Sequence, residues 1–149
     1  MLVLGTLPGE ESLRRQEYYA HPRNLFWPIV YALFGEKPVP PYPDRVAFVL
    51  GRGIALWDMV EAGHRLASAD STIRDEQPNT IDTLLDVHPA IRTIAFNGST
   101  ALRLHDRYFV RRPELTYHAM PSTSPAHARL GFAAKLERWH ALREVLERA

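Results

Sequence analysis

Four short, mainly apolar runs are the strongest constraint in this sequence. They are Met1–Leu4, Ile54–Trp57, Ile91–Phe96 and Leu115–Met120. Each is closed by glycine, proline or a polar residue, and such runs read as buried strands. Between them lie stretches with apolar residues at helical spacing. Strands alternating with helices predict a parallel sheet covered on both faces. The expectation is therefore an α/β fold: a three-layer α/β/α sandwich around a central four-stranded parallel sheet, formed by residues 1–149 as a single domain.

The helical segments can be placed in the same way. Glu10–Glu17 is polar and long enough for a helical turn. Asn24 is suited to cap a helix that starts near Phe26 and buries Phe26, Val30 and Leu33 or Phe34, with Pro28 in its first turn. Pro38, Pro40, Pro41 and Pro43 form a stiff surface connection. Asp44 opens a helix through Val46, Val49 and Leu50 that ends at Gly51 or Gly53. Asn79 or Thr80 caps a helix carrying Ile81, Leu84 and Leu85, and another runs through Ala101, Leu102 and Leu104. The last helix aligns Phe132, Leu136, Trp139, Leu142 and Leu146 on one stripe, with Arg143/Glu147 and Glu144/Arg148 pairs on its exposed side. Residues 61–79 are polar and irregular, which predicts a long functional loop.

Composition narrows the chemistry. The chain of 149 residues has no cysteine, which removes disulfides, thiolate catalysis, zinc–cysteine sites and iron–sulfur clusters. Its 18 Lys+Arg against 17 Asp+Glu give no global basic field, so any nucleic acid must be held by local chemistry. The seven histidines form no i,i+4 pair and no carboxylate-flanked cluster, so no metal site and no cofactor are expected. No apolar run approaches a bilayer span, and Met1–Gly5 lacks the basic start of a signal peptide. It reads as a strand beginning at the first residue, either because an upstream segment is missing or because none is needed. A cytoplasmic monomer with no membrane partner is the expectation.

In a doubly covered parallel sheet the ligand sits beyond the carboxyl ends of the strands. Those ends carry Gly5–Gly9, Asp58–Val60, Asn97–Ser99 and Pro121–His127. The densest chemistry is Tyr18–Trp27, which mixes aromatic rings, an imidazole, a guanidinium and an amide. Two readings are open on composition: a loop packed over the core with Asn24 as helix cap, or a surface for a planar polar ligand such as a nucleobase. Pro121-Ser122-Thr123-Ser124-Pro125 is either a phosphate clamp of hydroxyls and free amides or an ordinary Ser/Pro loop. Asp58 closes an apolar strand, so its carboxylate is either paired or accepts a hydrogen bond from a ligand. No Gly-x-Ser-x-Gly elbow is present, and Gly5–Gly9 is not a phosphate loop.

Taken in order, these segments resemble the uracil-DNA glycosylase superfamily. Gly5-Thr6-Leu7-Pro8-Gly9 stands at the place of its first motif. Tyr19-Ala20-His21-Pro22-Arg23-Asn24-Leu25-Phe26-Trp27 is similar to the following segment of its mismatch-specific members. Gly53–Asp58 resembles the strand whose end carries a base-recognising residue, and Met120–Ala126 the loop that grips DNA. The Tyr-Tyr-Ala-His-Pro-Arg-Asn, Leu-Trp-Asp and Ser-Thr-Ser-Pro-Ala signatures resemble the hypoxanthine-DNA glycosylases most.

The resemblance implies an enzyme that flips a deaminated base out of DNA and hydrolyses its N-glycosidic bond. Hypoxanthine is favoured over the alternatives of uracil or a broad range of deaminated bases, or of a catalytically weak nucleic-acid-binding domain. It implies Asn24 as the catalytic residue, and Tyr19, Asp58, Leu7 and His21 as base-binding residues. Ser122, Thr123, Ser124, Ala126, His127 and Arg129 are implied to contact DNA. The chain departs from the family pattern at Leu7, where many relatives carry aspartate or asparagine. It departs again at Ala126, near the place of a leucine-like wedge, and at His127, where the subgroup often has asparagine.

Overall fold

The computed structural model describes residues 1–64 and 73–149. Its elements are β1 (Leu2–Gly5), α1 (Glu10–Arg15), α2 (Phe26–Leu33), α3 (Tyr42–Gly51), β2 (Ala55–Asp58), β3 (Val60–His64), β4 (Arg74–Pro78), α4 (Ile81–Val87), β5 (Thr93–Asn97), α5 (Ser99–Tyr108), β6 (Thr116–Met120) and α6 (Phe132–Arg148). Four strands form one parallel sheet in the order β2-β1-β5-β6. Helices cover both faces, as the alternating pattern predicts.

Strand alternation sorts the core into two halves. Val3 and Ala95 face one layer, where they meet Phe26, Ile29 and Val30 of α2, Val49 of α3, and Trp139 and Leu142 of α6. Leu2, Leu4, Ile94 and Phe96 face the other, against Ile81 and Leu85 of α4 and Ala101 and Leu104 of α5. The central strands β1 and β5 are thus buried on both sides, which is why they read as continuous apolar runs. In register, Gly5 lies beside Asp58 and Asn97 beside Met120, so the strand ends converge on one edge.

Three local expectations need correction. The long loop expected over 61–79 contains an antiparallel pair, β3 with β4. Residues 65–72 of that expectation lie outside the described residues. Arg74-Asp75-Glu76-Gln77-Pro78 has no apolar alternation, because Glu76 is held from outside the hairpin by Arg107 and Tyr108 at 2.8 and 3.0 Å. The third helix begins at Tyr42 instead of Asp44, with Pro43 in its first turn. On α6, Phe132 is 40% exposed, whereas Lys135 is buried with Trp139 and Leu142. These three share the inward stripe at i, i+4 and i+7. The expected Arg143–Glu147 and Arg148–Glu144 pairs are present.

The end of β5 fixes the loop after β6. Asn97 is buried; its Nδ2 donates to Thr123 Oγ1 and its Oδ1 accepts the Thr123 N–H, both at 2.9 Å. Gly98, at φ 102°, leaves room for Ser122, whose Cβ lies 3.0 Å from where a side chain at position 98 would begin. Among the described residues no helix is long and apolar enough to cross a membrane.

Two stability tests follow. Asn97→Ala leaves the buried Thr123 amide unpaired and is expected to cost about 2–3 kcal/mol in urea unfolding. Burial pushes the Lys135 ammonium pKa down from 10.5. The unfolded chain therefore holds that proton more tightly, so the penalty is present at neutral pH and is relieved as pH rises toward 10.5. Lys135→Met is expected to raise the thermal midpoint at neutral pH, with the gap to wild type narrowing as pH rises.

Candidate active site

A cavity of about 370 Å³ opens at the carboxyl ends of β1, β2 and β5 and the loop after β6. That volume is in the range of small-ligand pockets. Gly5, Leu7, Tyr19, His21, Asn24, Asp58, Asn97, Ser122, Thr123 and Ser124 all line it. Residues separated by a hundred positions in sequence are brought together because parallel strands end on the same side.

Asp58, the last residue of β2, is 9% exposed. Its backbone is fixed on both sides: the Asp58 carbonyl accepts from Asn79 Nδ2 at 2.9 Å, and the Met59 N–H donates to the Gly5 carbonyl at 2.8 Å. Its carboxylate lies against the α-carbon of Gly5. A Cβ at position 5 would come within 2.5 Å of Asp58 Oδ1 and 3.1 Å of the Tyr19 hydroxyl. Glycine is therefore required by close approach here, and not by a special backbone angle.

Tyr19 adopts a left-handed backbone, φ 54°, which is uncommon for a bulky residue. That turn lets its ring stack on Phe26 at 4.0 Å and 24°. Phe26 meets Trp139 edge-on at 6.0 Å, so the core supports the ring from behind. Phe26 stacks on one face of the ring, and Tyr18 lies 6.2 Å away, tilted by 42°. Tyr18 stands beside it, and burial, then the charge of Asp58 and the nearby Tyr42, push its phenol pKa up to about 12. The Tyr18 hydroxyl is therefore protonated and able to donate at neutral pH.

Asn24 lies just before α2. Its Oδ1 accepts the Phe26 N–H at 2.9 Å; the N-cap of α2 is Leu25, so Asn24 stands one residue before the cap position expected of it. Because the partner is an N–H donor, the oxygen of the amide must face it, which fixes the amide orientation. A carbonyl oxygen has two lone pairs, so one remains available. The preceding turn is closed by the Asn24 N–H on the His21 carbonyl at 2.9 Å, and His21 Nδ1 accepts from the Arg23 N–H at 3.1 Å.

In the serine loop, Ser122 Oγ accepts the Ser124 N–H and Ser124 Oγ accepts the Ala126 N–H, each at 3.2 Å. Both hydroxyls serve as acceptors toward the backbone, so their protons are left to be donated outward. Thr123 differs: it has no exposed surface. Its amide and hydroxyl face Asn97, and its carbonyl accepts the Leu25 N–H at 3.0 Å. Ala126, His127 and Arg129 are exposed on the same loop outside the cavity.

Sequence reasoning did not assign two features a role. Asn97 is one; a polar residue ending an apolar strand requires buried partners, and that rule points to it. The other is α1, which walls the cavity with Glu10, Glu11, Ser12 and Leu13. Nothing local to Glu10–Glu17 announces that position. Glu11 is held ionised by hydrogen bonds from Arg14 and Arg15, with a pKa down to about 2.

Comparison with known proteins shows the family of the chain. Residues 1–143 match the family model of the uracil DNA glycosylase superfamily. A protein of Methanosarcina acetivorans named hypoxanthine DNA glycosylase is 35% identical over 143 residues, 95% of this chain and 89% of its own. One of the same name from Methanosarcina barkeri is 37% identical over 99 residues, 66% of this chain, and the match spans 63% of that relative's length. The solution NMR structure of a proposed uracil DNA glycosylase from Methanosarcina acetivorans superimposes with a TM-score of 0.80 at 34% identity, covering 98% of this chain and 89% of that one. With a parallel sheet whose strand ends open on one cavity, and a family match over residues 1–143, this chain belongs to the uracil DNA glycosylase superfamily.

Proposed function

We propose that the chain is a monofunctional DNA glycosylase that extrudes a deaminated base, with hypoxanthine favoured, and hydrolyses its N-glycosidic bond to leave an abasic site. The observation that carries this reading is the meeting of the Asn24 amide, the Asp58 carboxylate and the Tyr19 ring in one cavity beside a loop of outward hydroxyl donors. The family and the relatives named hypoxanthine DNA glycosylase support the same class.

The roles follow from the chemistry of each group. The flipped base enters the cavity and packs against the Tyr19 ring on its wall. Hypoxanthine carries a hydrogen on N1, and an Asp58 carboxylate oxygen is the acceptor for it. Adenine has a lone pair at N1, and the same carboxylate repels it, a discrimination of about 1–3 kcal/mol per lost bond. Uracil offers a similar N–H at N3, so cavity size, bounded by Leu7 and His21, must separate the two. As the bond lengthens, the sugar gains oxocarbenium character and the base leaves with negative charge. Tyr18, kept protonated, is a donor on the cavity wall toward that charge.

Water is oriented by the second lone pair of Asn24 Oδ1. An amide does not take up a proton at neutral pH, so Asn24 positions the nucleophile without acting as a general base. Ser122 and Ser124 donate to phosphates on either side of the lesion, with Arg129 adding charge and His127 a further DNA contact at the loop surface. Thr123 supports that loop from inside, since its polar groups are engaged by Asn97 and Leu25.

Oligonucleotides carrying hypoxanthine, uracil or xanthine test the reading directly. Release of hypoxanthine with an abasic product is expected to be fastest; binding without release favours a nucleic-acid-binding domain. Asn24→Ala is expected to lower the single-turnover rate about 100-fold or more. Asn24→Asp keeps both an acceptor for the Phe26 N–H and an oxygen for water, and is expected to retain most of the activity. Asp58→Ala is expected to weaken hypoxanthine release and to erode the discrimination against adenine; unchanged selectivity removes the recognition role.

A further inference from the structure

Flipping a base leaves a gap in the stack, and apolar side chains inserted between bases are a general means of filling such gaps. The residue at the wedge position suggested by the sequence, Ala126, is exposed but small. The structure offers a different side chain. Among the described residues, Leu13 is the one exposed large apolar side chain that also lines the base cavity. It is 64% exposed.

Its helix explains why a leucine can stand in solvent there. Helix α1 buries no residue, so it is not anchored by apolar packing. Polar bonds hold it instead. Ser12 Oγ accepts the Ala20 N–H at 3.1 Å, and the Ser12 carbonyl accepts the Glu17 N–H at 3.1 Å. Glu11 binds Arg14 and Arg15 at 2.5 and 2.6 Å. Gln16 closes the helix in the left-handed conformation, φ 54°. The segment is thus pinned to the Tyr19–Ala20 turn while Leu13 projects at the cavity rim. Phe132, at the start of α6, is also exposed, but it does not line the cavity.

We propose that Leu13 is the side chain that enters the base stack when the lesion is extruded, holding the duplex open while the base occupies the cavity. This rests on the base-flipping reading above. It makes Leu13 matter only where a stack must be opened, which a cavity-wall role would not.

The test compares hypoxanthine release from a paired duplex and from the same sequence as a single strand, under single-turnover conditions. Leu13→Ala is expected to lower the ratio of the duplex rate to the single-strand rate about tenfold or more. Leu13→Met is expected to restore the duplex rate, and Phe132→Ala to leave the ratio unchanged. In parallel, 2-aminopurine beside the lesion is expected to brighten on binding of wild type and to stay quenched with Leu13→Ala. Equal losses on both substrates, no loss, or a ratio that collapses with Phe132→Ala instead would overturn the assignment. A wild type that releases no base from any substrate overturns the glycosylase reading itself, and the wedge with it; an active wild type with an unmoved ratio overturns the wedge alone.

Discussion

Thr123 has no surface of its own, and its three polar groups tie together the parts on which the site depends. Its amide and hydroxyl are clamped by Asn97 at the end of β5, and its carbonyl receives the Leu25 N–H at the start of α2. The serine loop on one side of Thr123 and Asn24 on the other are therefore positioned by a single residue. A buried amide or hydroxyl left unpaired would cost about 1–3 kcal/mol, so the arrangement holds as a unit. Ser122 and Ser124 can face outward because Thr123 faces in.

A second constraint is the lack of a side chain at Gly5. It allows the Asp58 carboxylate and the Tyr19 hydroxyl to converge over the end of β1. The aromatic series Tyr19, Phe26 and Trp139 then carries this corner of the cavity down into the core. Rigid rings behind a recognition surface reduce the ordering cost of binding. The left-handed turn at Tyr19 is the local strain that places the ring there.

Electrostatics in this chain is local. Many arginines are engaged by carboxylates: Arg14 and Arg15 by Glu11, Arg45 by Glu17, Arg107 by Glu76, and Arg111 by Asp106. The near balance of charge in the sequence is thus repeated in the structure, and contact with a polyanion falls to hydroxyls, amides and a few exposed cations. Such a grip should be modest and should weaken with salt.

The sequence by itself determined the sheet. Strand runs, their flanking glycines and the spacing of helical apolar residues are local patterns. A parallel sheet then places every strand end on one edge, so Gly5, Asp58, Asn97 and the serine loop were legible as neighbours from the sequence, and Asn24 joined them only through the family resemblance. The tertiary structure alone decided which loop residues face in and which face out. Ser122, Thr123 and Ser124 look alike in sequence, yet only Thr123 meets Asn97 and Leu25. Phe132 and Lys135 exchange the places that hydropathy assigns them, because the inward stripe of α6 is set by how the helix sits on α2 and β6. The hairpin of β3 and β4 and the wall formed by α1 were hidden for the same reason. Their polar residues find partners far away in the chain, and no local pattern records a contact whose other half lies on another element.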